Sequence, residues 1–122
     1  MRSNAYSLRN EAREERKRQE LATGLLSDRF PNVSSIVVTM NYGRGSRSAV
    51  LRTLNYYPGS HAFFRISCLS EGCEEGVLDL THSIQRMIRS HETSAKGELS
   101  CDINNPEILH PDVDYKVAIT YS

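Results

Sequence analysis

The sequence predicts an α+β fold, on three observations. Residues 4 to about 28 are rich in Glu, Arg, Leu and Ala and lack glycine until Gly24 and proline until Pro31, the composition of a helix. From Ser34 the apolar period changes to two, and it returns to two near the carboxyl end of the chain. Between them, residues 80 to 91 carry apolar side chains at helical spacing. The element order read this way is α-β-β-β-α-β-β. It describes a mostly antiparallel sheet, a three-stranded meander plus a crossover hairpin, with helices packed on one face. A chain of 122 residues fits one domain, 1–122, able to bury a core without staples.

Within the first helix, RNEAREERKRQE (9–20) carries nine charged residues and almost no apolar face. Pairs such as Glu14 and Arg18 meet one turn apart. Leu21, Ala22, Leu25, Leu26 and Phe30 supply the part that docks, so residues 1–20 are expected to project in part into solvent or toward a partner. Ile36, Val38, Met40 and Tyr42 alternate with Val37, Thr39 and Asn41 in the first strand. GRGS (43–46) is a turn, 49–57 a second strand, PGS (58–60) a second turn and 62–68 a third strand, giving the meander. Asp79 is the expected N-cap of a second helix whose stripe is Leu80, Ile84, Met87 and Ile88, with His91 at its edge. Residues 96–103 and 114–121 alternate again, separated by a loop that Pro106 and Pro111 hold open.

Lys+Arg and Asp+Glu cancel at 15 each, so no global field draws in nucleic acid or an acidic membrane. No apolar run has the length of a signal peptide core or a membrane span, which leads to the expectation of a cytoplasmic protein with no membrane partner. Three cysteines are too few and too odd a set for a disulfide framework.

The stretch CLSEGC places Cys68 and Cys73 with four residues between them, Gly72 among these. If the third and fourth strands share a sheet through the second helix, they run parallel. That crossover puts Cys68, Cys73 and Cys101 on one rim, with His110 in the loop leaving it. Three thiols and an imidazole suit tetrahedral zinc, with Asp102 as the fallback ligand. The alternative is plain burial, since Cys68 continues the inward phase of Phe64 and Ile66, and Cys101 that of Leu99 and Ile103. A reactive thiol at Cys73 is opposed by Glu71, Glu74 and Glu75 and has no positioned base. That small thiol enzyme ranks third.

A second candidate lies on the sheet. Pairing Tyr56 with His61 across the PGS turn sets Arg52 opposite Arg65 and Leu54 opposite Phe63 on the outer face. Facing like charges are unfavourable unless an anion lies between them. With Lys116 on an outer position of the last strand, Arg52, Arg65, Phe63 and Lys116 form a candidate surface for single-stranded nucleic acid. GRGSR (43–47) lacks a P-loop pattern, and HExxH, GxSxG and kinase signatures are missing, so catalysis is not expected.

The opening order α-β-β-β-α resembles that of double-stranded RNA-binding domains, although DLTHSIQRMIRS lacks their lysine-rich helix start and two more strands follow. The order is also similar to that of the small dimeric chaperones of type III secretion. Both likenesses are of element order alone. The function expected from these readings is a non-catalytic binding or assembly module that self-associates through the N-terminal helix or a sheet edge, with structural zinc as a candidate stabiliser beside plain burial of the cysteines.

Overall fold

Alternation in β1 (Val33–Tyr42) buries Ile36, Val38, Met40 and Tyr42 in one phase, with Val33 also buried beyond a register shift between Val33 and Ser35, and every other element of the core is arranged around that face. The computed structural model describes residues 4–42, 50–67, 77–101 and 113–122, with the backbone alone at 4–10, 12, 13 and 50. Among these, β1 pairs antiparallel with β2 (Val50–Tyr56) on one side and β6 (Val113–Tyr121) on the other, and β5 (Ser94–Leu99) pairs antiparallel with β6. The order is β2-β1-β6-β5. Val38 stands opposite both Leu54 and Val117, and Ile36 opposite Tyr56 and Ile119, so the inner face is continuous across three strands.

That inner face is covered by α3 (Thr81–Arg89), which inserts Ile84 and Met87, and by a separate pair of short strands, β3 (Arg65–Ser67) and β4 (Val77–Asp79). Phe64, Ile66, Leu78 and Leu80 complete the core from this layer. The expected α+β architecture is therefore present, with antiparallel pairing throughout the described strands. The outer face, with Thr53, Asn55, Lys96, Glu98, Lys116, Ala118 and Thr120, is exposed. No helix among the described residues is long and apolar enough to cross a membrane.

Three expectations are corrected. The first helix does not run to residue 28: α1 spans Asn4–Ala22, Gly24 takes a left-handed φ of +81°, and a four-residue turn of helix, α2 (Leu26–Arg29), follows. Any residue with a Cβ is strained at such a φ, which stops α1 where the glycine stands. Leu26 is fully buried, whereas Leu21 stays 60% exposed.

Second, β3 pairs with β4, Arg65 facing Asp79, and not with β2. The cause is the backbone of 24–27. Leu26 N–H donates to Ser60 C=O (2.7 Å), Ser27 N–H to Pro58 C=O (3.0 Å), and Ala62 N–H to Gly24 C=O (2.9 Å), with a bridge between Leu25 and His61. The first amides of α2 need acceptors, and the turn after β2 supplies them. The start of the expected third strand, at His61 and Ala62, is thereby tied to residues 24 and 25 and not to β2, and Arg52 no longer faces Arg65 across a ladder.

Third, β3 and β5 do not share a sheet, so the parallel crossover through the helix does not form. The turn GRGS lies outside the described residues.

Candidate binding groove

Loss of the β2–β3 hairpin leaves a trough where the third strand was expected. Its floor is the strand β2 from Arg52 to Tyr56. Opposite stand Phe63, Arg65, Ile66 and Ser67, and the end wall is the last part of α1, with Arg16, Lys17 and Glu20. The hollow has a volume of about 660 Å³.

The phase of β2 decides which of its side chains enter. Arg52 is in register with Met40, and Leu54 with Val38, so Arg52 points to the inner side of the sheet at its rim and not to the outer face. Its Nη1 donates to the carbonyl of Ser67 at 3.3 Å, spanning the gap between the two sheets. Arg65 is held from two sides: Nη1 donates to Oε1 of Gln19 at 2.9 Å, and Nε lies 3.7 Å from Oδ2 of Asp79, its ladder partner. A guanidinium anchored at one edge still presents its remaining N–H groups, because arginine carries five donors in a fixed fork.

Phe63 and Phe64 divide between two environments. Phe64 is buried and meets Tyr56 edge-on, with centroids 5.2 Å apart and planes at 71°. Phe63 is half-buried and lines the groove. Burial pushes the Tyr56 phenol up to about 12, against the pull of Arg52 and with a small push from Glu20. Tyr56 is therefore a neutral hydroxyl at the groove floor at any ordinary pH.

Of the four residues proposed for nucleic acid, the structure brings three together. Arg52, Phe63 and Arg65 share the groove, but on the inner side of the sheet rim, not on its outer face. Lys116 sits on the opposite face, in register with Thr39 and Lys96, in a separate hollow with Glu98 and Asp114. Strand alternation separates it from the others: Lys116 is in the phase of Thr39, whereas Arg52 is in the phase of Met40.

Arg16, Lys17 and Glu20 were not foreseen as site residues. The signal available was positional: residues 16, 19, 20 and 23 fall on one side of a helix, and on that side Arg16, Gln19 and Thr23 are half-buried. An apolar stripe would have announced this face, and the docking is polar.

For zinc, Cys68, Cys73, Asp102 and His110 lie outside the described residues. Cys101 lies two residues past the end of β5, half-buried against the core in the phase of Leu99. Among the described residues, no group of three His, Cys, Asp or Glu side chains is placed to hold a metal ion. No protein-family model, curated protein or solved structure matches this chain.

Proposed function

We propose that this chain is a non-catalytic, cytoplasmic binding module whose ligand is anionic and lies in the groove between α1 and β2. The observation that supports this reading is the charge of the lining. Arg16, Lys17, Arg52 and Arg65 face one carboxylate, Glu20. In a protein with no net charge this is a local surplus, and a concave site with partly buried walls strengthens its field relative to a flat surface.

Asp79 offsets part of Arg65, and Ser67 holds Arg52, so these two arginines are positioned more than neutralised. Lys17 is exposed and Arg16 half-buried, so of the two cations on the α1 wall Lys17 is the more open to solvent. The sparse, odd cysteine count supports a reducing compartment.

The test is chromatography on a sulfated polyanion resin. The protein should be retained at low salt and released as salt rises, and the double variant Arg16→Glu with Lys17→Glu should pass through while melting at the wild-type temperature. Passage of the wild-type protein without retention would overturn the reading.

Two parts of the reading stand apart from the groove. Self-association through α1 or a sheet edge is supported by β5, which ends the four-stranded sheet on the side away from the groove among the described residues, and native mass spectrometry tests it. Structural zinc at Cys68, Cys73, Cys101 and His110 is supported by ligand type and the Cys68 to Cys73 spacing. Elemental analysis of the purified chain tests it, with one equivalent expected and none overturning it.

A further inference from the structure

We infer that the groove takes an extended acidic polypeptide segment, added as a strand to the β2 edge. The inference rests on the anionic-ligand reading above and commits it to one class of ligand.

Backbone geometry argues for a peptide. Among the described residues β2 ends its sheet, so alternate residues between Arg52 and Tyr56 turn an N–H and a C=O away from β1, along the floor of the groove. A row that alternates donor and acceptor is matched by another extended backbone, which carries the same alternation. A phosphodiester chain offers acceptors alone and leaves the β2 carbonyls unanswered.

The side chains argue for acid, and for its spacing. Arg52, Leu54 and Tyr56 occupy the inner phase of β2. Side chains of an added strand alternate in the same way, so every second one turns to the inner side, where Arg16, Lys17, Arg52 and Arg65 converge. The matching segment has carboxylates at every second position.

Two other occupants fit less well. A second copy pairing through its own β2 would bring the same cations face to face, which is repulsive. Single-stranded nucleic acid gains from stacking on successive aromatic faces. Here Tyr56 is largely buried and packed against Phe64, which leaves Phe63 as the accessible ring among the lining residues.

The experiment uses fluorescence anisotropy with three labelled probes of about ten residues, the upper length of an ordinary strand. They are a peptide alternating Glu and Thr, and two versions N-methylated on the Glu set or on the Thr set; an oligo(dT) of similar charge is run beside them. The expected result is binding of the parent peptide, loss of about tenfold or more in affinity for one methylated set, and a much smaller loss for the other, because one set of amides faces β2. The Arg16→Glu, Lys17→Glu variant should lose binding of all peptides. Equal affinity for both methylated sets, or binding of oligo(dT) without the peptides, overturns strand addition but leaves the anionic groove standing if the protein is still retained on the polyanion resin. No binding of any probe together with no retention removes both.

Discussion

The imidazole of His91 lies stacked on the phenol ring of Tyr121, centroids 3.9 Å apart and planes 22° from parallel. The contact closes the carboxyl end of α3. Glu92 N–H donates to Met87 C=O (2.8 Å) and His91 N–H to Ile88 C=O (3.2 Å), the paired bonds of a Schellman ending, with His91 at the left-handed position, φ +54°. Tyr121 Oη donates to Glu92 C=O at 2.7 Å, with Met87 C=O as a second, longer acceptor at 3.2 Å. Glycine usually fills the left-handed site, so the histidine is retained against a backbone cost of about 1 kcal/mol by a ring contact of similar size. His91→Ala should therefore lose about 1 kcal/mol, His91→Gly should stay within about 0.5 kcal/mol of wild type, and Tyr121→Phe should lose about 1 kcal/mol. Urea midpoints with unchanged slopes measure all three.

Stability should fall in alkali through Tyr56. Burial raises its phenol to about 12, while an unfolded tyrosine titrates near 10. Below pH ~10 both states hold the proton and the contribution is fully present. Between about pH 10 and 12 the unfolded chain has released a proton that the folded chain keeps, so stability declines as pH rises, by on the order of 2–3 kcal/mol across the window. Burial and Glu92 also raise the phenol of Tyr121, with the same sign. Urea midpoints taken from about pH 9 to about pH 12 should drop for wild type, drop less for Tyr56→Phe, and be flattest for the variant with both tyrosines replaced by Phe. A Tyr56→Phe profile parallel to that of wild type would rule this account out.

What could be read from sequence was what local periodicity dictates. Ile36, Val38 and Met40 in β1, Val117 and Ile119 in β6, and Leu80, Ile84 and Met87 around α3 all lie buried where the alternation or the helical stripe placed them. Partner choice is another matter. The hairpin expected across Pro58 and Gly59 failed because Leu26, Ser27 and Ala62, from two distant segments, exchanged hydrogen bonds near it. Nothing in the apolar pattern of 62–68 records that competition. β4 is three residues long, too short to show any period. The groove was half legible. Arg52, Phe63 and Arg65 stand out in the sequence as a cluster, but the hairpin register expected for them puts them on the other side of the sheet, and the polar docking face of α1 has no hydrophobic signature.

Gly97 faces Tyr115 across the β5–β6 ladder. A Cβ built at Gly97 would lie 2.9 Å from Tyr115 Oη and 3.0 Å from Cε1 and Cζ of the ring. The aromatic ring covers the glycine, which occupies a strand position that ordinarily disfavours it. Gly97→Ala should cost about 1–3 kcal/mol, as overpacking does. Tyr115→Ala removes the obstacle, so the loss from Gly97→Ala should shrink to about zero in that background. A double-mutant cycle by thermal unfolding reads the difference, and additive losses would mean that the ring swings away without strain.

Arg65 is a polar link between α1 and the β3–β4 pair, through Gln19 on one side and Asp79 on the other. Its side chain is partly exposed, and removal of it should lower global stability by no more than about 1 kcal/mol. The larger effect should be local. Without an apolar stripe, α1 depends on such contacts to stay against the groove, and local opening is governed by the few bonds that resist it. Arg65→Ala should speed amide hydrogen exchange in residues 16–22 by about tenfold or more while α3 and β6 exchange at the wild-type rate. Gln19→Ala should reproduce the α1 effect, and Asp79→Asn should do so more weakly, since the carboxylate stands 3.7 Å from Nε and not within hydrogen-bond range. The same loosening would widen the groove at its α1 wall, so Arg65→Ala should also elute earlier from the polyanion resin than a variant that removes one exposed charge elsewhere, such as Arg89→Ala on α3.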